Sequence, residues 1–180
     1  MRADARRNQE RLVAAARTVF AREGGSASLE AVARQAGVGV GTLYRHFPRR
    51  IDLVEAVYQE SVDELVQTSE RVTEELEPWP AVAAFLEAFV TYAQGKRTIL
   101  NELHEAFEKT PDMRSRSRER IEQAMDLVVR RGQEAGVVRT DVSGSDLMQL
   151  VAPMCTSAGL GEEQSRRLLG MILDGLRVTS

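Results

Sequence analysis

The feature that most constrains this chain is the spacing of its apolar residues, which recur at three- and four-residue intervals almost from end to end. Leu12, Ala16, Val19 and Phe20 set the pattern, and Leu168, Leu169, Ile172, Leu173 and Leu176 repeat it near the other end. Such spacing lines one face of a helix, whereas a half-buried strand needs strict alternation. No convincing run of alternating β-branched residues with hairpin turns is present. The spacing therefore predicts an all-α chain. Its 180 residues, 43% of them hydrophobic and 28% charged, are enough for a real core and ordinary for a globular protein. The single cysteine, Cys155, cannot close an intramolecular disulfide, and with His46 and His104 it leaves too few soft ligands for structural zinc. No stretch reaches the length of an uncharged membrane span, and Met-Arg-Ala-Asp-Ala-Arg-Arg opens the chain without an apolar signal segment. A soluble, cytoplasmic protein is expected, with no metal, no cofactor and no membrane partner.

Glycines, prolines and caps divide the pattern into about nine helices. The first is expected over 4–23, ending at Gly24-Gly25, where a residue without Cβ takes a left-handed conformation. Ser28 is a good N-cap for a short second helix bearing Leu29, Val32, Ala33 and Ala36 and closed by Gly37. A third short helix runs from Gly39 to about Phe47 and stops at Pro48; a fourth carries Leu53, Val57, Val62, Leu65 and Val66 to about Thr73. Pro78 and Pro80 pre-set a fifth helix with Val82, Phe85, Leu86, Phe89 and Ala93, ending at Gly95. Leu100, Leu103, His104 and Phe107 share one face of a sixth, before Pro111. A long seventh, with Ile121, Met125 and Val128 inward, stops at Gly132 or Gly136. Asp141 and Ser143 are candidate caps for an eighth helix with Leu147, Leu150, Val151 and Met154 on its face.

Charge is unevenly placed along these helices. The whole chain carries a net −3, but residues 1–50 hold ten arginines against four carboxylates, a net +6, which leaves −9 for residues 51–180. A basic module on an acidic body suits a protein that meets a polyanion with one end only; accidental asymmetry among solvated arginines accounts for the charge about as well. The two short helices at 28–47, joined by Gly37-Val38 after a longer one, match a helix-turn-helix unit in length and punctuation. Leu43 and Phe47 share an inward face with Val38, which turns Thr42 and His46, flanked by Tyr44 and Arg45, elsewhere. Gly39 and Gly41 each cost about 1 kcal/mol against alanine in a helix interior, and close approach of a phosphate is one reason to keep them. Arg49 and Arg50 are placed to add charge-assisted phosphate contacts.

These residues carry a resemblance. Phe20-Ala21, Leu29-Glu30-Ala31-Val32-Ala33, Ala36-Gly37-Val38, Gly41-Thr42-Leu43-Tyr44-Arg45-His46-Phe47 and Leu53-Val54-Glu55-Ala56-Val57-Tyr58, within Leu12 to Tyr58, resemble the DNA-binding domain of the TetR family of transcriptional regulators. The resemblance implies an all-helical homodimer of about nine helices. Residues 1–50 would form a three-helix, helix-turn-helix DNA-binding domain for a palindromic operator, and residues 51–180 a helical effector-binding and dimerisation domain. It implies that Thr42, Tyr44 and His46 touch phosphate or bases, that Ser28 donates to a phosphate at the start of helix 2, and that Arg50 stands where a lysine or arginine begins helix 4. Val40 departs from a polar family position, so readout there is apolar, against a thymine methyl. Arg49 replaces the usual Ser, Asn or Asp cap of helix 4. Arg45 is a base-edge candidate because arginine fits guanine bidentately; solvated and phosphate-bound roles fit as well. Arg6, Arg7 and Arg11 are candidates for the DNA side of helix 1.

The partners expected are double-stranded operator DNA, a second copy of the chain and a small apolar or amphipathic effector that releases a repressor. Phe85, Phe89, Tyr92, Leu103, His104, Phe107 and Met125 are the ligand-contact candidates, each weighed against an ordinary core role. Leu147, Val151, Met154, Leu168, Leu169, Ile172, Leu173 and Leu176 are the dimer-interface candidates, from the stripes of helices 8 and 9 together with the resemblance. The segment Arg114 to Arg120 is a solvated helix start, and Cys155 a small buried hydrophobe. Two readings compete. A non-transcriptional DNA-binding adaptor of the same fold would share every feature above. A helical enzyme or carrier fares poorly, because no nucleophile elbow, metal-spaced cluster or phosphate-binding glycine loop is present, and no catalytic residue is assigned.

Overall fold

Helix punctuation written into the sequence operates much as expected in the computed structural model, which describes residues 2–156 and 161–178. Among these residues nine α-helices and one 3₁₀ turn are present: α1 (Arg2–Glu23), the 3₁₀ turn (Gly24–Ser26), α2 (Leu29–Ala36), α3 (Val40–His46), α4 (Arg50–Glu75), α5 (Pro78–Arg97), α6 (Leu100–Lys109), α7 (Pro111–Glu134), α8 (Gly144–Thr156) and α9 (Glu162–Leu176). The chain divides into two units, Met1–Ser61 with Gly95–Arg114, and Val62–Gln94 with Ser115–Ser180.

In the first unit α1 stops where Gly24 takes a φ of 58°. Ser28 is extended, and its Oγ accepts the Ala31 N–H at 3.0 Å, satisfying one of the donors a helix start leaves unpaired. Gly37 closes α2 with a φ of 64°, and its N–H returns to the Ala33 and Arg34 carbonyls. Arg11 reinforces that turn from α1 by donating to the Ala36 carbonyl at 2.6 Å. Phe47 donates back to the Leu43 carbonyl at 2.8 Å and so ends α3. Leu12, Val19, Phe20, Val32, Leu43, Phe47, Leu53, Val54, Val57 and Ile99 share one core. Side chains from α1 to α4, with Ile99 just before α6, thereby fix the orientation of the short α3.

The second unit buries Val62 and Leu65 of α4, Val82, Phe85, Leu86 and Phe89 of α5, and Ile121, Met125, Val128 and Val129 of α7. Of the two candidate stops for the seventh helix, Gly136 is the one with a left-handed φ, 70°. Gly132 stays inside α7 for another reason: a Cβ there would lie 2.5 Å from Cγ2 of Val138. Val138 forms an isolated antiparallel bridge with Arg177, which ties the segment after α7 to the end of α9. Ser143 and Asp146 cap α8 reciprocally, Oγ accepting the Asp146 N–H and the carboxylate accepting the Ser143 N–H at 2.9 Å. Asp141, the other candidate cap, pairs with Arg139 instead. Gly95 does not end α5. The helix continues to Arg97, since Gly95 has no left-handed φ, and it is closed when Thr98 turns back to the Gly95 carbonyl through both N–H and Oγ.

Candidate nucleic-acid interface

α3 is too short to be stable alone, so its geometry comes from what it buries. Leu43 is fully buried and Phe47 nearly so, while the other side of the helix is left open. Val40 is 39% exposed and Tyr44 43%; Gly41 and Arg45 are also exposed, with Thr42 and His46 half-buried at the edges. Arg45 makes no ion pair among the described residues. Tyr44 leans toward Glu30 of α2, with its hydroxyl 3.5 Å from Oε1, at the outer limit of a hydrogen bond. His46 sits beside Phe47, ring centroids 6.4 Å apart. A Cβ added at Gly39 or Gly41 would meet nothing within 4 Å, and neither residue has a positive φ. Among the described residues, nothing in the packing therefore demands glycine at either position. Ser28 is exposed beside this face, but its Oγ is engaged in capping.

The two arginines after Pro48 have separated. Arg49 remains on the surface, bonded through its guanidinium to Asp52, whose carboxylate also accepts the Arg49 N–H at 2.9 Å. The same contact holds the Asp52 carboxyl below the usual carboxylate range and raises the Arg49 pKa. This is half of a capping box, and it supplies part of what the missing Ser or Asn cap would have given. Arg50 turns inward, contrary to the phosphate role expected of it. Its guanidinium stacks 5.0 Å from the centre of the Phe20 ring, donates to the Ala27 carbonyl and reaches Oε1 of Glu102 on α6 at 3.0 Å. A planar cation satisfied by a ring, a carbonyl and a carboxylate has little reason to leave them. The arginines of α1 are likewise occupied: Arg6 pairs with Glu10, Arg7 with Asp4, and Arg11 holds the helix-turn-helix corner.

The other candidates are distributed. Phe85, Phe89 and Met125 are buried in the second unit, where Phe89 stacks on Tyr92 at 6.0 Å. Leu103 and Phe107 are buried in the first. His104 is exposed, which corrects its placement on the buried face of α6: Ala106 takes the inward position with Leu103 and Phe107. A cavity of about 510 Å³ lies elsewhere, between α8 and α9, lined by Leu147, Leu150, Met154, Leu168, Met171 and Ile172 among others. Of the interface candidates, Leu147, Val151, Leu169 and Leu176 are buried in the chain's own core, whereas Met154, Leu168, Ile172 and Leu173 are partly open. The interface candidates omitted Leu150, which the helical spacing places on the face of α8 and which is 56% exposed, and Met171, 69% exposed. Leu150 lies one residue from the buried Val151 and Met171 two from the buried Leu169, but which side α8 and α9 bury was not visible in the sequence.

Comparison with known proteins agrees with this geometry. Residues 77–178 match the family model described as "Transcriptional regulator SbtR-like, C-terminal domain", and residues 12–57 match "Bacterial regulatory proteins, tetR family". The chain belongs to the TetR family. The TetR transcriptional regulator SCO0520 from Streptomyces coelicolor is 35% identical and superposes with a TM-score of 0.85 over 96% of this chain and 99% of that one. The TetR regulatory protein from Mycobacterium vanbaalenii is 30% identical, with a TM-score of 0.79 over 98% and 99%. The HTH-type transcriptional regulator SAUSA300_2515 of Staphylococcus aureus (strain USA300) is 41% identical over 64 residues, which is 35% of each chain, so this chain matches about a third of the length of such curated relatives. This TetR-family member is a transcriptional regulator with a helix-turn-helix DNA-binding domain. Its family and fold are those of regulators rather than enzymes.

Proposed function

We propose that this regulator is a cytoplasmic repressor that binds a palindromic operator as a homodimer and is released by a small apolar or amphipathic effector. In this reading residues 1–50 meet DNA, and residues 51–180 serve dimerisation and effector binding. The observation that carries it is the division of α3: Leu43 and Phe47 are committed to the core, while Val40, Gly41, Tyr44 and Arg45 are exposed around Thr42. Among the described residues Arg45 has no partner to surrender, so it is the residue assigned to a base edge. Val40 is assigned to a thymine methyl, and Thr42, Tyr44, His46, Ser28 and Arg49 to phosphate or its neighbourhood. The open space over Gly39 and Gly41 suits a backbone approached closely by a phosphate.

The α8–α9 face supports the dimer. Its apolar concavity, with Leu150 and Met171 at the surface, is of the kind a second copy of the chain covers. A productive dimer sets two recognition helices about 34–36 Å apart or at a multiple of that spacing. An effector that changed this separation would weaken binding without unfolding anything. Phe85, Phe89, Tyr92 and Met125 in the second unit, and Leu103 and Phe107 in the first, remain the candidates for its apolar contacts. The test is a mobility shift on DNA flanking the protein's own gene. Specific binding that weakens steeply with salt is expected, and a flat salt response would contradict phosphate-led recognition.

A further inference from the structure

Two cations of the first unit converge on one aromatic ring. Lys96, in the last turn of α5, places Nζ 5.5 Å from the centre of Phe107 on α6 and 5.6 Å from that of Tyr58 on α4. Arg114, in the first turn of α7, brings its guanidinium carbon to 5.9 Å from the same Phe107 ring. The two rings meet edge to face at 5.4 Å, and both are buried. Ring faces attract cations through their quadrupoles but bring no net charge, so two positive charges stand here uncompensated. Neither Lys96 nor Arg114 makes an ion pair among the described residues, whereas the chain's other lysine, Lys109, is paired with Glu105. Burial and the neighbouring Arg114 charge both push the Lys96 pKa down. An ammonium held half out of water beside a like charge gains from any anion that arrives.

We propose that Lys96 and Arg114, set over Tyr58 and Phe107, bind a small organic carboxylate, which would be the polar end of the effector. The proposal rests on the reading of this chain as effector-responsive, and it narrows that effector to an amphipathic anion. A guanidinium takes a carboxylate through two parallel hydrogen bonds, and an ammonium adds a point charge from a second direction. Tyr58 and Phe107 are themselves buried, so the contacts offered to the carboxylate are the two cations held against them. A neutral molecule of the same shape would leave both charges as they are.

The sequence provides its own internal control, since the chain contains only two lysines. Reductive ¹³C-dimethylation preserves their charge and gives one signal for Lys96 and one for Lys109. The full-length protein is titrated with benzoate and with octanoate, using benzamide as the neutral counterpart and sodium chloride at matched ionic strength. A saturable movement of the Lys96 signal with at least one carboxylate is expected, with Lys109 unmoved and benzamide inert. Arg114→Gln, at an exposed position that leaves helicity intact by circular dichroism, should weaken that response at least tenfold. The proposal is overturned if neither carboxylate moves Lys96 beyond the chloride control, if Lys109 moves equally, or if Arg114→Gln binds as tightly as the parent. Operator binding without carboxylate is measured in parallel; its absence counts against the DNA-binding reading and leaves the lysine result unaffected.

Discussion

The outer face of α3 and the face between α8 and α9 are both helix surfaces that the chain itself leaves open, yet they carry opposite chemistry. On α3 the exposed positions are Gly41, Tyr44 and Arg45 with a single aliphatic residue, Val40. On α8 and α9 they are Leu150 and Met171, over a concavity lined by further leucine, isoleucine and methionine. An open face is shaped by the surface it meets. Polar, cationic and glycine-bearing chemistry fits a hydrated polyanion approached closely, and apolar chemistry fits another packed protein surface. The buried sides differ as well: the inner side of α3 is a structural requirement, and its outer side is free of one.

That contrast can be broken at its strongest point first. Leu43→Ala removes a fully buried side chain from the inner side of α3 and should cost about 2–5 kcal/mol of stability, measured by urea denaturation. A cost near zero would mean that α3 is not held by its inner side at all. Met171→Asp on the α9 surface should leave far-UV circular dichroism unchanged and weaken self-association at least about a hundredfold, roughly 2.7 kcal/mol, read by sedimentation equilibrium. Unchanged association would remove the α8–α9 face from the proposed dimer. Arg45→Ala should leave the urea midpoint in place and weaken operator binding by about 1–3 kcal/mol, with relaxed discrimination at one base pair. A variant that destabilised the fold instead would erase the distinction between the two sides of α3. Ser28→Ala should cost about 1 kcal/mol through the lost cap of α2.

Local signals were legible in the sequence wherever a residue's role depends on its near neighbours. Ser28 caps α2, Gly37 turns left-handed, and Leu43 and Phe47 face inward, because each outcome is decided within four or five residues. Roles decided by distant partners were not legible. Arg49 and Arg50 are the same residue type side by side, but Arg50 is captured by Phe20 and Glu102, which lie 30 and 52 positions away along the chain. His104 satisfied a helical period on paper, yet Ala106 occupies the buried position because Leu103 and Phe107 set the inner side of α6 slightly differently. In α8 and α9 almost every face carries apolar residues, so periodicity marked Leu147 and Val151 as readily as Leu150. The pairing of Lys96 with Arg114 over one ring joins helices through contacts that no sequence spacing records.

The smallest expected effect lies at the boundary of the α3 face, in the Arg49–Asp52 pair. The Arg49 guanidinium hydrogen bond, with the Arg49 N–H in a lesser part, depresses the Asp52 pKa below its ordinary value. A carboxyl with a depressed folded-state pKa contributes stability above its unfolded value, about 3.9. That contribution is lost as pH falls through the lower folded value. Because the Arg49 side chain is 65% exposed, solvent screening keeps the contribution below about 1 kcal/mol. Asp52→Asn should therefore lower stability slightly at pH 6 and converge with the parent in strong acid, as read by urea midpoints across that range. The same substitution frees the Arg49 charge beside α3, so operator binding at low salt should strengthen while stability falls. Parallel loss of both would place Asp52 among the groups that position α3, and would move Arg49 from the DNA-facing surface to the scaffold.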